Sequence, residues 1–280
     1  MESRTPLADG RLLWREMAMV TYLEPRLLSA HARLRCAFTT RHAGRSGQAL
    51  NLSFDKGERS AVLAHRQRVL QALDLQQTTL CTVRQVHGNQ VCVVDAATLQ
   101  SGLAGIAADA LVTNLSDVTL GVLVADCLPV VLYSLDTPVI AVVHAGRMGT
   151  YHRVVQQTLA VIEHRFATPP AQVYAVLGPA IGACCYLLDA SAVGPFQAHF
   201  PTWEQFFILH GPERWTMDLL TANTLQLHAA GVSAEHIETA SICTACHKQH
   251  LYSHRAEGQE AGRGMAIVAL MSPAWPSAPG

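Results

Sequence analysis

The chain has 280 residues, of which 50% are hydrophobic and only 15% charged, with a formal net charge of -1. That composition supplies a buried core and excludes a disordered chain, and the length suits one domain or two merged halves. No basic field is available to neutralise many phosphates, so nucleic acid is excluded as an expected partner, whereas a small anionic ligand needs only local arginines.

Residues before about Leu34 are loosely specified, with Met17 or Met19 an alternative start, so residues 1–34 form an N-terminal extension carrying the first elements. No apolar segment followed by a small-residue cleavage site opens the chain, and the longest apolar runs are too short for a bilayer. A cytoplasmic protein with no membrane partner is expected. Its eight cysteines, Cys36, Cys81, Cys92, Cys127, Cys184, Cys185, Cys243 and Cys246, then read as mostly free thiols.

Val91–Asp95 is β-branched and suits a strand. Thr119–Ala125, Val130–Ser134 and Val139–His144 are apolar runs with short links, which predicts hairpin or antiparallel pairing among them. Gly149–Phe166 predicts one helix, because Val154, Val155, Leu159, Ile162 and Phe166 recur at three- and four-residue steps; Pro169 and Pro170 end it. Gln172–Leu177 predicts a buried strand. Asp218–Ala230 predicts a helix with Asp218 as N-cap and Gly231 as stop. Ile237–Ile242 and Met265–Leu270 complete the strands, and the Pro/Ser-rich tail 273–280 frays. The sum is an α+β architecture with an antiparallel or mixed sheet flanked by helices, in a single domain over residues 35–272.

Three segments place a soft ligand at an element boundary: His87 in Arg84-Gln85-Val86-His87-Gly88, Cys127 in Ala125-Asp126-Cys127-Leu128-Pro129, and His144 in Val143-His144-Ala145-Gly146. Strand ends aim side chains at a common cleft. Two imidazoles and a thiolate suit Zn²⁺, with copper the alternative ion, and three protein ligands leave the open position of a catalytic site. The long spacing matches no compact zinc-finger pattern, and each residue alone also fits a structural role. A separate run, Cys243-Thr244-Ala245-Cys246-His247, fits the Cys-x-x-Cys-His pattern of haem attachment. Haem attachment follows export and no export signal is visible, so no haem is expected; the run reads first as having no special role, with a redox dithiol or a second metal as the lesser alternative.

The ordered set Gln85-Val86-His87-Gly88, Ala108-Asp109-Ala110, Ala125-Asp126-Cys127, Val143-His144-Ala145-Gly146 and Leu177-Gly178-Pro179-Ala180-Ile181-Gly182 resembles the laccase-domain family, now regarded as purine nucleoside phosphorylases. The resemblance continues at Phe38-Thr39-Thr40-Arg41, Leu50-Asn51-Leu52, Cys184-Cys185-Tyr186, Cys243-Thr244, Tyr252-Ser253-His254-Arg255 and Gly262-Arg263, so it covers roughly Cys36 to Leu270.

The resemblance implies an α-β-β-α layered sandwich similar to the cytotoxic-necrotizing-factor-like enzymes. It also implies His87, Cys127 and His144 as metal ligands. Implied activities are phosphorolysis of adenosine, inosine, guanosine and methylthioadenosine, plus adenosine deamination; bacterial relatives are also described as peptidoglycan editing factors. The implied partners are a purine nucleoside and phosphate. Arg41 is the first candidate for phosphate, since a guanidinium binds oxyanions bidentately, with Asn51, Arg255 and Arg263 as further substrate or phosphate groups. Asp126, beside the metal cysteine, is the carboxylate that moves protons, or else caps its loop or holds a ligand histidine.

The chain departs from the family pattern. His-Ala-Gly-Trp-Arg-Gly becomes His144-Ala145-Gly146-Arg147-Met148-Gly149, Cys-Tyr-Glu becomes Cys185-Tyr186-Leu187, a Gly-Gly pair becomes Ala43-Gly44, and Gly-Arg-Met becomes Gly262-Arg263-Gly264. The rival classes are a Cys/His hydrolase or amidase with Cys127 as nucleophile, and a non-catalytic metal-binding protein. Oxidation of phenols by several coppers is disfavoured, since the three residues provide for one ion.

Overall fold

The computed structural model describes residues 12–29, 31–43 and 48–272. The chain opens with β1 (Leu12–Met17), β2 (Val20–Pro25), α1 (Arg26–Ser29), β3 (Leu34–Thr39), β4 (His42–Ala43), β5 (Gln48–Ala49), α2 (Arg59–Ala72), β6 (Thr79–Cys81), β7 (Val91–Val93), α3 (Ala96–Ser101), β8 (Ala110–Thr113) and β9 (Val118–Val124). It continues with β10 (Leu128–Ser134), β11 (Val139–Ala145), α4 (Arg147–Tyr151), α5 (Val154–Phe166), β12 (Tyr174–Leu177), β13 (Leu187–Asp189), α6 (Ala190–His199), β14 (Phe207–Leu209) and β15 (Arg214–Met217). The last elements are α7 (Leu219–Ala229), β16 (Ile237–Thr239), α8 (His254–Glu257) and β17 (Gly264–Leu270).

Two six-stranded sheets dominate this mixed α/β fold. One has the order β1-β2-β3-β17-β9-β6, the other β16-β12-β10-β11-β8-β7. Most pairs are antiparallel, while β6–β9, β7–β8 and β12–β16 are parallel. Every residue of β8, β10, β11 and β17 is buried, as expected of runs that are apolar on both faces.

The expected β10–β11 hairpin forms, with Pro129 opposite His144. Pro129 is tolerated because it stands second in its strand, and its carbonyl accepts the Gly178 N–H at 2.9 Å. The expected pairing of β9 with this hairpin does not occur. Instead β9 lies between β17 and β6 in the other sheet. A wholly apolar run announces burial on both faces without saying in which sheet, and the three residues 125–127 carry the chain across.

The N-terminal segment, loosely specified by sequence, supplies β1 and β2; Val20 and Leu23 are fully buried. The helix expected over Gly149–Phe166 is two helices. Arg153 adopts a left-handed conformation (φ 58°) between α4 and α5, and no glycine or proline marks the break. The buried face of α5 is Val154, Val155, Thr158, Leu159 and Ile162, close to the anticipated set. Asp218 caps α7 by accepting the Thr221 N–H at 3.0 Å, and Gly231 follows at φ 100°, both as anticipated.

Three apolar clusters hold the elements together. Leu120, Val122 and Val268 of one sheet meet Leu111, Val131 and Val142 of the other. The opposite face of the second sheet, with Val130, Leu132 and Val143, packs on Val155 and Leu159 of α5 and Leu227 of α7. On the outer side of the first sheet, Met265 and Ile267 cluster with Val69 and Leu73 at the end of α2. Residues 1–11 and the anticipated frayed tail 273–280 lie outside the described residues. No helix among the described residues is long and apolar enough to cross a membrane.

Candidate metal centre

His87, Cys127 and His144 converge: one ligand atom from each lies within 4.8 Å of the others. Each arrives by a different route. His144 ends β11 and is 3% exposed. Cys127 sits in the link that carries the chain from β9 to β10. His87 stands on the loop between β6 and β7, exposed, with its ring centroid 4.9 Å from that of His144.

Asp109, just before β8, organises two of the three. Its Oδ1 lies 2.9 Å from His144 Nδ1, which leaves Nε2 for the cluster. The same carboxylate accepts the backbone N–H groups of Val86 (3.2 Å), His87 (2.9 Å) and Gly88 (2.7 Å). This nest of amides compensates the left-handed backbone of His87 (φ 60°). Burial alone would raise the Asp109 carboxyl; the His144 side chain and the backbone donors outweigh it and hold it below its ordinary value. Sequence motifs alone do not mark Asp109 as a site residue, although it stands in the Ala108-Asp109-Ala110 segment. Its signal was an acid inside an apolar strand entry, a place where a carboxylate needs dedicated donors.

Gln85 fixes the other end of the His87 loop. Its side-chain amide accepts the Leu123 N–H at 2.7 Å and donates to the Leu123 carbonyl at 2.9 Å, completing the edge of β9 beyond β6. Gly146 opens α4, and a Cβ there would lie 2.6 Å from Cys127 Sγ, so only glycine leaves room for the thiol. Burial would raise the Cys127 thiol, but His144 and His87 bring it down to about 6. Burial would likewise lower His144, which Cys127 and Asp109 instead raise to about 9. Each side chain thus favours the charged form of the other, thiolate beside imidazolium. Two imidazoles and a thiolate, with one imidazole oriented by a buried acid and a glycine clearing the space, fit a divalent ion of zinc type.

The cluster opens onto a cavity of about 510 Å³, a size suited to a small molecule. Its walls include Arg84, Asp126, Ile181, Tyr186, Arg255 and Arg263. Asp126 is held on both oxygens, accepting from Thr244 Oγ1 at 2.6 Å and from the Arg255 backbone N–H at 2.6 Å, in a left-handed conformation (φ 93°). It therefore caps the strand link, and the acid that orients His144 is Asp109. Arg255 also donates to the Leu187 carbonyl at 2.8 Å and lies over the Tyr186 ring. The Arg263 guanidinium donates to the carbonyls of Ala261 and Gly262 at 2.6 and 2.9 Å.

Arg41 and Asn51 are not on the cavity wall. Arg41 pairs with Glu257 at 2.7 Å, donates to the Lys248 carbonyl at 2.6 Å and covers the Tyr252 ring. Asn51 accepts the N–H groups of Ser53 and Arg263, pinning two loops together. Both motif residues are consumed in holding the wall. Arg84, three residues before His87, is the exposed cavity arginine that the sequence reading did not single out. Arg147, which replaces the family tryptophan, lines a neighbouring cavity with Asp189 and Arg214.

The sequence model described as multi-copper polyphenol oxidoreductase laccase matches residues 35–271. The chain belongs to this family. Within the laccase-like family, it is 30% identical over 246 residues to the purine nucleoside phosphorylase YlmD of Geobacillus stearothermophilus, covering 82% of this chain and 88% of that protein. It is 31% identical over 212 residues to adenosine deaminase RL5 from an unknown prokaryotic organism, covering 72% and 79%. The crystal structure of the Geobacillus YlmD superposes with a TM-score of 0.82 at 26% identity, over 93% of this chain and all of that one. That of the hypothetical protein YfiH of Bacillus licheniformis gives 0.81 at 25% identity, over 92% and 98%.

Proposed function

We propose that this member of the laccase-like family is a zinc-dependent purine nucleoside phosphorylase with adenosine deaminase side activity, working in the cytoplasm on adenosine, inosine, guanosine and methylthioadenosine. Names of relatives support the reaction class. The observation that carries the reading is the convergence of His87, Cys127 and His144 at the mouth of an arginine-walled cavity.

His87, Cys127 and His144 would hold the ion, which supplies Lewis acidity to a bound oxygen or nitrogen. Copper is the alternative ion. In phosphorolysis a phosphate oxygen bonds to the ribose anomeric carbon as the bond to the purine nitrogen breaks, giving the free base and ribose-1-phosphate. Arg84, Arg255 and Arg263 are the groups we assign to phosphate, because guanidinium forks match its oxygens. Arg41 and Asn51 act one step back, through Glu257 and the Arg263 backbone. Tyr186 and Ile181 offer the apolar face for the base. Asp126 is our candidate for moving protons in deamination. Residues 35–272 form the catalytic domain in this reading. The packing of α2, the two sheets, and α5 with α7 supports an α-β-β-α layering like that of cytotoxic-necrotizing-factor-like enzymes.

The test is to incubate pure protein with adenosine, with and without phosphate, and identify products by mass. Adenine and ribose-1-phosphate formed only with phosphate support phosphorolysis; inosine supports deamination; intact adenosine under both conditions overturns both.

A second reading is a Cys/His hydrolase or amidase, as in peptidoglycan precursor editing. The lowered Cys127 thiol beside His144, itself oriented by Asp109, supports it. Turnover that survives metal removal but dies on thiol alkylation separates it from the first.

A further inference from the structure

Four more thiols meet on the far side of the cavity wall. Cys184 and Cys185, in the turns after β12, face Cys243 and Cys246, in the turns after β16. Their sulfurs all lie within 4.8 Å of one another. Cys246 Sγ is 3.5 Å from Cys184 Sγ and 3.4 Å from Cys185 Sγ. We propose that Cys184, Cys185, Cys243 and Cys246 bind a structural zinc ion as a tetrathiolate, a site separate from His87, Cys127 and His144.

Geometry is the first support. A tetrahedral zinc with bonds of about 2.3 Å sets its sulfurs about 3.8 Å apart, within a few tenths of an ångström of the two distances above. A disulfide needs about 2.05 Å and one partner, whereas Cys246 stands almost equally far from two. The Cys243-x-x-Cys246 spacing is that of zinc-binding turns. The backbone N–H groups of Gly182 (3.3 Å) and Cys246 are directed at Cys243 Sγ, as donors that favour a thiolate ligand. Four protein ligands leave no open position, which makes the role structural.

Position is the second support. The two cysteine turns are brought together by backbone hydrogen bonds from Ala180 N–H to the Ile242 carbonyl and from Thr244 N–H to the Ala180 carbonyl. Thr244 then holds Asp126, and Tyr186 follows directly after Cys185 on the cavity wall. An ion here would lock together two segments about 60 residues apart in sequence (62 between Cys184 and Cys246) and with them the back of the cavity. Each thiol gives up its proton as the metal binds, and no oxidant is needed.

The test loads the full chain with zinc under reducing conditions, desalts it and counts metal per chain. The wild type should carry about two ions, His87→Ala about one, and a Cys243→Ser/Cys246→Ser variant about one. Cobalt(II) offered to His87→Ala should give the intense visible bands of a tetrahedral cobalt tetrathiolate, absent when Cys243→Ser and Cys246→Ser are added to His87→Ala. If that variant does not fold, the His87→Ala count and spectrum decide alone. The proposal is overturned if folded, reduced His87→Ala retains no zinc. It is equally overturned if Cys246 forms a disulfide with Cys184 or Cys185 in preference to binding the zinc offered. Neither result bears on the nucleoside reading, which rests on the other cluster.

Discussion

Nδ1 of His144 stands 2.9 Å from Oδ1 of Asp109, and the same carboxylate gathers the three backbone N–H groups of the His87 loop. One buried acid thus orients the His144 ring and holds the backbone of the loop that carries His87. Asp109→Asn keeps the shape but turns an N–H₂ towards donors. Metal affinity should fall about 10–100-fold, read by competition with a chromogenic chelator. Unchanged affinity would remove Asp109 from the centre.

Cys127 should be the reactive thiol of metal-free protein. Its pKa lies at about 6, below the ordinary thiol value, so the nucleophilic thiolate is populated above about pH 6 and lost on acidification through it. Iodoacetamide labelling followed by peptide mass spectrometry should give a rate that rises through about pH 6 and then levels. Cys81, buried and pushed up to about 11, should stay unlabelled in the native protein over the same range. A Cys127 rate still climbing through pH 8–9, the range of an ordinary thiol, contradicts the thiolate–imidazolium pair.

Gly146→Ala tests the space around that thiol. The added methyl would meet Cys127 Sγ at 2.6 Å, and the short side chain relieves the clash by turning away. Stability should drop by about 1–3 kcal/mol, as overpacking costs elsewhere, while metal binding suffers far more. Denaturant unfolding beside a metal count separates the two effects; full metal content with normal stability would contradict the geometry.

The hairpin carrying His144 could be read from sequence because two apolar runs with a short link leave few alternatives. The crossing at Ala125–Cys127 could not, since β9 and β10 look alike in composition and differ only in which sheet receives them. The same gap hid the division of labour among polar residues. Motif agreement marked Arg41, Asn51 and Asp126, but only distances separate a group facing the cavity from one spent on Glu257 or on a neighbouring backbone.

The cavity arginines and Arg41 should therefore behave differently. Arg84→Ala should raise KM for phosphate about 10–100-fold, the worth of one charge-assisted contact, with the fold intact, whereas Arg263→Ala should do so with some loss of stability, because its guanidinium also holds two carbonyls. Arg41→Ala should lower Tm through loss of its half-buried pair with Glu257, with a smaller change in KM. Steady-state kinetics at varied phosphate beside thermal melts would expose the reverse pattern.

Asp126→Asn should leave metal content near normal yet slow deamination about 10²–10⁴-fold, the usual reach of a proton-transfer group. Thr244→Val removes one of its hydrogen bonds without touching the carboxylate and should cost much less. Equal losses in the two variants would make Asp126 a loop clamp only.

The position of β17 bears on how the protein is made. This strand, the last described, lies between β3 and β9, and Asp126 waits for partners at Thr244 and Arg255. On the ribosome, the residues that would grip the ion emerge well before β17, so the central gap of one sheet stays open until that strand has been made. Closing contacts of such long sequence separation is slow. The walls around the three candidate ligands are therefore completed only once β17 has docked, and an ion offered before then would meet an unfinished cavity.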